Sequence, residues 1–172
     1  AGAACGAIGL GGSRCADLLH WRWDGVVIPA DGHGQAWSGS RCDKALWFTR
    51  HDDASGTQTQ HCRRCGHDSP PIGPRGRNCR DPFVWRTQTG LAMVVARPCD
   101  WQAWANGPAS LLEHWHSRDG VAWQMQGQIG PWSPPGVLWE VPVLLRLGGR
   151  TILILSQVDR RQGHSDCRVV WW

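Results

Sequence analysis

The amino-acid sequence predicts an all-β fold. Helical periodicity is nearly absent from the 172 residues, and 110–115 is the one stretch whose spacing suits even a short helix. Elsewhere, short apolar or alternating runs are separated by turns rich in glycine and proline, a pattern typical of a sandwich, a barrel or a propeller. The length suits one domain better than two.

The predicted strands follow one another along the whole chain. They are 25–28, 45–49, 83–85, 91–96, 137–141, 143–146 and 151–156. Turn-forming residues fill 29–34, 69–76 and 132–136, and Gly148-Gly149 precedes the last predicted strand. No run approaches the ~18 apolar residues that a membrane-spanning helix requires, so we predict no membrane partner.

A weak internal repeat favours a propeller among the three all-β folds. Segments 13–21 and 117–123 share the order Ser-Arg, Asp, apolar residue, Trp, and 63–68 is a degraded third copy. Each copy is predicted to be a strand-turn-strand unit with Asp in the turn. A propeller blade takes about 40 to 50 residues, so the chain holds about three to four blades and is expected to be an incomplete propeller.

Charge and cysteine usage restrict the partners. The net charge is +4 and the arginines are scattered, so we predict no nucleic-acid partner. Of the eight cysteines only Cys62 and Cys65 are closely spaced, which favours free thiols over a zinc site or a disulfide framework. We therefore predict no metal and no cofactor. A zinc- or nucleic-acid-binding module built on these two cysteines and the arginines of 63–80 is an alternative.

Tryptophan is the most unusual feature of the composition, with 13 residues against two phenylalanines and no tyrosine. Indole rings stack on sugars, methyl groups and bases alike, so this richness does not select a ligand by itself. Position is more informative. Trp37, Trp85 and Trp139 flank candidate site motifs, whereas Trp21 and Trp123 belong to the repeat and are predicted to pack.

Three segments carry candidate functional residues: Arg80-Asp81-Pro82, Trp139-Glu140-Val141-Pro142 and Trp37-Ser38-Gly39-Ser40. Asp81 precedes a proline, so it suits a turn or a strand entry as well as a catalytic role. Glu140 is the stronger candidate for a functional role, because burying an unpaired glutamate in an apolar strand costs free energy. Burial raises the pKa of a carboxyl, as a general acid working near neutral pH requires.

In order and spacing, these segments resemble three signature motifs of glycoside hydrolase family 32, which includes invertases, levanases, inulinases and sucrose-6-phosphate hydrolases. The resemblance covers about residues 11–160. Segment 13–21 resembles the family's Ser-x-Asp-Leu-x-x-Trp segment, and 56–60 follows the Trp37 motif at about the family's distance. Gly148-Gly149 follows the Glu140 motif as the family's turn does.

The resemblance implies a five-bladed β-propeller whose axial funnel holds a retaining glycosidase site. Such an enzyme releases terminal β-fructosyl units from sucrose or fructans with two carboxyls about 5 to 5.5 Å apart. Glu140 resembles the acid/base, and Asp81 resembles the carboxylate that stabilises the transition state. Arg80, Trp37 and Ser38 resemble substrate-binding residues.

The sequence departs from the family at the nucleophile, which is normally the aspartate of an Asn-Asp-Pro-Asn-Gly motif. That motif is not present in this chain, and Asp17, Asp24 and Asp31 lie in other contexts. We expect residues 1–172 to be a partial catalytic domain without the nucleophile strand and the last blade or blades, and therefore impaired. Val141 stands where the family usually has cysteine, and Val143 where aspartate is common.

A non-catalytic carbohydrate-binding propeller remnant is the alternative function. The substrate among sucrose, sucrose 6-phosphate, inulin and levan is not specified by these motifs. Free cysteines favour the cytoplasm, and a secreted location is the alternative if a signal segment lies upstream.

Overall fold

The computed structural model describes residues 8–32, 34–98, 110–129, 133–134, 137–159 and 166–171. Within these residues the chain forms β-strands and no α-helix, which confirms the predicted all-β class. Accordingly, none of the described segments is a helix long and apolar enough to cross a membrane. Cys5, Cys99 and parts of the predicted turns 29–34 and 132–136 lie outside the described residues.

Fourteen strands are described. In chain order they are β1 (Leu10–Arg14), β2 (Arg22–Ile28), β3 (Gln35–Cys42), β4 (Ala45–His51), β5 (Gln58–Arg64), β6 (His67–Asp68), β7 (Ile72–Gly76), β8 (Arg80–Thr87), β9 (Gly90–Pro98), β10 (Ser110–Ser117), β11 (Gln124–Ile129), β12 (Val137–Leu147), β13 (Arg150–Asp159) and β14 (Asp166–Trp171).

The strands form four successive antiparallel sheets. Sheet 1 is the hairpin β1-β2, and sheet 2 is the meander β3-β4-β5-β6, in which β7 also pairs with β5. Sheet 3 is β8-β9-β10-β11, and sheet 4 is β12-β13-β14. The first strands of sheets 2, 3 and 4 contact one another in turn, β3 to β8 and β8 to β12. This is the arrangement of consecutive propeller blades, and β3, β8 and β12 are its inner strands.

A separate hydrophobic core fills each gap between successive sheets. Ile28 and Phe48 are buried between sheets 1 and 2, Trp47 and Met93 between sheets 2 and 3, and Trp139 with its neighbours between sheets 3 and 4. Because side chains alternate along a strand, adjacent residues of β4 enter different cores: Trp47 enters one and Phe48 the other.

Strand β9 shows the same division over a longer run. Met93 and Val95 belong to the core between sheets 2 and 3, whereas Val94 and Ala96 belong to the core between sheets 3 and 4. All four residues are fully buried. The continuous apolar run 91–96 therefore reflects a strand covered on both faces, which is why it lacks polar alternation.

The structure differs from the sequence-based expectation at two places. Residues 110–115 are not a helix but part of β10, where each residue from Ser110 to Ser117 pairs with a residue of β9. The pairing with a fully buried strand outweighs the helical propensity of a short Leu-Leu-Glu run. The predicted strands 137–141 and 143–146 are one strand, β12, which continues through a bulge at Val141 and Pro142.

The predicted repeat is present in two of its three copies. Asp17 Oδ1 accepts hydrogen bonds from the amides of Leu19 and His20, and Asp119 Oδ1 accepts the equivalent pair from Val121 and Ala122. In both turns the following indole donates to a carbonyl three residues earlier, at 3.2 Å.

The third copy, 63–68, was wrong, because Cys65-Gly66 forms its turn and Asp68 lies on β6. The packing prediction holds for Trp123, whose ring meets the Trp47 ring edge-on at 5.5 Å between centroids. It fails for Trp21, which is 61% exposed.

Gly39 allows β3 and β4 to approach more closely than any side chain would permit. A Cβ atom at this position would lie 1.9 Å from the carbonyl oxygen of Trp47. We predict that Gly39→Ala lowers the free energy of unfolding by about 2 to 3 kcal/mol, since backbone and not a flexible side chain must move. Urea denaturation of the 172-residue chain measures this change.

Gly32→Ala is the matched control. A Cβ atom at Gly32 would meet nothing within 4 Å, so the substitution should change the free energy of unfolding by no more than about 0.5 kcal/mol. Equal effects of the two substitutions would contradict the close approach of β3 and β4.

Candidate functional site

All five site residues predicted from the sequence line one cleft. Its volume is about 430 Å³. Trp37 and Ser38 come from β3, Arg80 and Asp81 from β8, and Glu140 from β12. The cleft therefore lies where the three inner strands meet, and each strand contributes the residues of one sequence motif. Ile8, Leu10, Ala36 and Val141 complete its lining.

Each inner strand has a β-bulge at the cleft. The register with the second strand of the sheet shifts between Trp37 and Gly39 in β3, between Arg80 and Phe83 in β8, and between Glu140 and Val143 in β12. A bulge bends the strand and re-aims its side chains. In β8 and β12 the last bulged residue is a proline, Pro82 or Pro142. Proline has no amide hydrogen, so its unpaired position in the bulge costs the sheet no hydrogen bond.

The bulges of β8 and β12 hold their backbone in the left-handed region. Asp81 has φ of 62° and Val141 has φ of 48°. Aspartate tolerates this conformation, whereas a β-branched residue adopts it only when its surroundings impose it. The amide of Val141 donates to Asp81 Oδ2 at 2.9 Å, so the two bulges hold each other.

A buried chain of polar groups fixes Asp81 from the other side. The Asp81 amide donates to Thr49 Oγ1 at 2.9 Å, and this hydroxyl donates to Gln60 Oε1 at 3.0 Å. Gln60 Nε2 then donates to the carbonyl of Cys79 at 2.7 Å. Thr49 and Gln60 are both fully buried. Asp81 is therefore bonded both to sheet 2 and to sheet 4.

Sequence reasoning missed Thr49 and Gln60. Their residue types gave no signal, because both act through contacts between strands. Ser40, the last residue of the Trp37 motif, does not line the cleft: its hydroxyl accepts the Val84 amide at 2.9 Å and links β3 to β8.

Arg80 links the other members of the cleft. Its guanidinium donates to Glu140, its Nε lies 3.8 Å from Asp81 Oδ2, and its Cζ lies 6.0 Å from the centre of the Trp37 ring. The Arg80 side chain is mostly buried, with 13% exposed. Glu140 is thus not the unpaired buried glutamate considered from the sequence, because it is paired and 29% of its side chain is exposed.

Burial dominates the ionisation of Asp81. It raises the pKa of this carboxyl to about 6, although the Val141 amide and Arg80 both act to lower that pKa. The charge of Glu140 adds to the increase. The cleft therefore contains one carboxyl whose charge is disfavoured by its surroundings, an arrangement found more often at functional sites than elsewhere.

The other two tryptophans of the motifs do not line the cleft. Trp139 is buried in the core between sheets 3 and 4. Trp85 stacks on His114 with ring centroids 5.7 Å apart. Of the three indoles that flank site motifs, only Trp37 lines the cleft.

The cysteines offer no comparable cluster. In the part of the chain that the structure describes, no three His, Cys, Asp or Glu side chains converge as metal ligands would. Cys65 is exposed in a turn, whereas Cys79 is buried in a hydrophobic core. Burial raises the pKa of the Cys79 thiol to about 12, so this side chain stays protonated.

Comparison with known proteins supports the motif-based expectation. The family "Glycosyl hydrolases family 32 N-terminal domain" matches residues 1–169. Comparison with curated protein sequences gives no match.

Three solved structures share the fold. The sucrose-6-phosphate hydrolase from Lactobacillus gasseri is 18% identical, with a TM-score of 0.64 over 91% of this chain and 36% of that one. The Bombyx mori beta-fructofuranosidase is 15% identical, with a TM-score of 0.65 over 94% and 38%. The exo-inulinase from Aspergillus awamori is 18% identical, with a TM-score of 0.65 over 98% and 42%.

These likenesses confirm the predicted propeller fold. The four described sheets correspond to part of the five-bladed β-propeller of these enzymes. The chain spans only about two-fifths of the length of these structures.

The Thr49 hydroxyl can be tested by substitution, because it bonds both Asp81 and Gln60. Thr49→Val keeps the side-chain shape but leaves the Asp81 amide without its acceptor and Gln60 Oε1 without its donor. We expect a loss of about 1 to 3 kcal/mol in the free energy of unfolding, measured by urea denaturation. Thr49→Ser keeps the hydroxyl and should be clearly less destabilising. A valine variant as stable as the serine variant would contradict the role of the hydroxyl.

The second prediction concerns the charge of Asp81. Its pKa is higher in the folded chain, about 6, than the ordinary value of 3.8, so the folded state binds more protons between these pH values. Stability due to this group is therefore greatest below pH 4 and falls as pH rises through 6. Asp81→Asn should remove this loss, making the variant more stable than wild type at pH 7.5 by up to about 3 kcal/mol.

The measurement is urea denaturation of both proteins at pH 4 and pH 7.5, compared as a difference so that other titrating groups cancel. Asp119→Asn is the control. The amides of Val121 and Ala122 and the Ser117 hydroxyl lower the pKa of Asp119, so its charge stabilises the fold above pH 4. Its substitution should act in the opposite direction. A pH-independent difference for Asp81→Asn would contradict the raised pKa.

Proposed function

Because the chain belongs to glycosyl hydrolase family 32, we propose that it forms part of the active site of a retaining β-fructofuranosidase. Such an enzyme releases terminal β-fructosyl units from sucrose or a fructan. The observation that carries this proposal is the convergence of Trp37, Ser38, Arg80, Asp81 and Glu140 on one cleft at three strand bulges.

We assign Glu140 the role of acid/base. It is the cleft carboxyl with the larger exposed fraction, so its proton can reach a bound substrate and solvent. In the first step it would donate a proton to the departing glycosidic oxygen while a nucleophile bonds to the anomeric carbon. In the second step it would take a proton from the water that releases fructose.

We assign Asp81 the role of stabilising the positively charged transition state. Its Oδ2 accepts the Val141 amide, whereas Oδ1 accepts no hydrogen bond from the described residues. This second oxygen is available to a sugar hydroxyl. A rigidly held carboxylate in a buried site interacts strongly with positive charge that develops at the ring, because the site does not reorganise as water would.

Arg80, Trp37 and Ser38 are assigned to substrate binding. Arg80 presents hydrogen-bond donors beside both carboxyls. Ser38 supplies a hydroxyl from β3, the neighbouring inner strand. Trp37 supplies an apolar wall for the face of a sugar ring.

The nucleophile is proposed to come from outside this chain. The three earlier aspartates considered from the sequence are engaged elsewhere: Asp17 with His20, Asp24 with Arg14 and Asp31 with Arg50. Asp81 and Glu140 are the carboxyls that line the cleft among the described residues. A cleft without a nucleophile also favours the second candidate function, a carbohydrate-binding remnant without catalysis. Adding a small external nucleophile distinguishes an impaired enzyme from such a remnant.

We expect the 172-residue chain to release no fructose from sucrose, inulin or levan, and to bind D-fructose in calorimetric titration. Azide at about molar concentration should then restore cleavage of sucrose, measured as released glucose. Azide would bond to the anomeric carbon as the glycosidic C–O bond breaks, and Glu140 would protonate the departing oxygen.

Glu140→Gln should abolish the azide-dependent release. Glu113→Gln is the matched control, because Glu113 also pairs with an arginine, Arg97, but lies away from the cleft. Fructose binding without azide-dependent cleavage would favour the remnant, and cleavage that survives Glu140→Gln would overturn the assigned mechanism.

A further inference from the structure

Trp37 is held by three residues that none of the sequence motifs singled out. These are Gln35 on its own strand, His51 at the end of β4 and Asp53 just beyond it. We propose that these three residues form a positioning network that sets the plane of the Trp37 ring and, through it, the affinity of the cleft for a fructosyl ring. This inference rests on the function proposed above.

The first element of the network is a stacked pair. The imidazole of His51 lies on the indole of Trp37 with ring centroids 4.1 Å apart and planes inclined by 12°. In the register of β3 and β4, His51 is opposite Gln35 and Trp37 is opposite Thr49. The two rings are therefore diagonal neighbours on one face of the sheet, a distance that aromatic side chains span easily.

The second element is a pair of hydrogen bonds along the edge of the indole. Trp37 Nε1 donates to Gln35 Oε1 at 3.1 Å, and Gln35 Nε2 donates to Asp53 Oδ1 at 2.7 Å. An indole nitrogen only donates and an ionised carboxylate only accepts, so the Gln35 amide satisfies both partners in one orientation alone. Asp53 thereby fixes the orientation of the Gln35 amide, and the Gln35 amide fixes the indole of Trp37.

The same carboxylate lies beside the imidazole. His51 Nε2 lies 3.6 Å from Asp53 Oδ1, whereas His51 Nδ1 is buried without a hydrogen-bond partner among the described residues. Asp53 is therefore hydrogen-bonded to Gln35 and lies close to His51, the two residues that contact the indole.

The network also defines what Trp37 can offer a ligand. One face of the indole is covered by His51, and its N–H is already used by Gln35. Trp37 therefore cannot donate a hydrogen bond to a sugar hydroxyl. The guanidinium of Arg80 lies over the ring as well, with Cζ 6.0 Å from the ring centre, so the apolar contact that Trp37 offers comes mainly from the edge of the indole. Hydrogen bonds to the sugar come instead from Arg80, Ser38 and the two carboxyls.

The experiment compares the 172-residue chain with His51→Ala and His51→Phe. The protein carries 15N-labelled tryptophan, and the Trp37 indole signal is identified by its loss in Trp37→Phe. We expect His51→Ala to shift this signal in the free protein and to raise the dissociation constant of D-fructose about fivefold. His51→Phe keeps a flat ring under the indole and should bind fructose within about twofold of wild type.

His61→Ala is the matched control. His61 is a half-buried imidazole on β5, and its ring lies against Phe48 with centroids 5.7 Å apart. Its substitution should leave both the Trp37 signal and fructose binding unchanged, which separates positioning from a general loss of structure.

Each remaining outcome is decisive. An unchanged Trp37 signal in His51→Ala overturns the positioning network, whatever happens to fructose binding. A shifted signal with unchanged fructose affinity overturns its effect on the ligand. If wild type binds no fructose while the Trp37 signal responds to His51→Ala, the proposed function fails for this chain and only the structural part of the inference stands.

Discussion

The position of Asp81 is the constraint on which the cleft depends. Its amide is bonded to Thr49 in sheet 2 and its carboxylate to the Val141 amide in sheet 4, while its own backbone belongs to sheet 3. One residue thus connects three sheets at the point where their inner strands meet. The connection requires burial, left-handed backbone and a carboxyl with a pKa raised to about 6, each of which is unfavourable to folding. A fold selected for stability alone would place an amide or an apolar residue here.

The arrangement explains why the motifs contain prolines and why valine is tolerated at 141. A proline at the second bulged position costs the ladder no donor, and it leaves the preceding residue to make the sharp turn. Asp81 makes that turn in β8, and Val141 makes it in β12 with the Asp81 carboxylate holding its amide. Glu140 is then aimed at Arg80 by the backbone on both sides of it. The geometry of the acid/base candidate is therefore set by a neighbouring sheet as much as by its own.

The sequence was informative wherever one residue or one strand carries the signal. The apolar run 91–96 marks a strand buried on both faces, and the Asp-to-Trp turns at 17–21 and 119–123 are visible as a repeat. The three motifs identified the residues of the cleft because each motif coincides with one bulge. The pairing of 110–117 with β9 depends on residues outside the segment, whose own spacing suits a short helix equally well. Thr49, Gln60, His51 and Asp53 matter through contacts between strands, and their residue types alone give no sign of it.

The alternation along β9 has a consequence for cooperativity. Its side chains supply two cores at once, so a fluctuation that removes β9 from its sheet exposes apolar surface in both gaps. Opening sheet 3 therefore also exposes apolar surface of sheets 2 and 4, which disfavours intermediate states in which sheet 3 alone is detached. Adjacent sheets are coupled in this way in addition to the ion pair between Arg80 of sheet 3 and Glu140 of sheet 4. The amide hydrogens of β9 are therefore expected to exchange through openings that disturb sheets 2, 3 and 4 together.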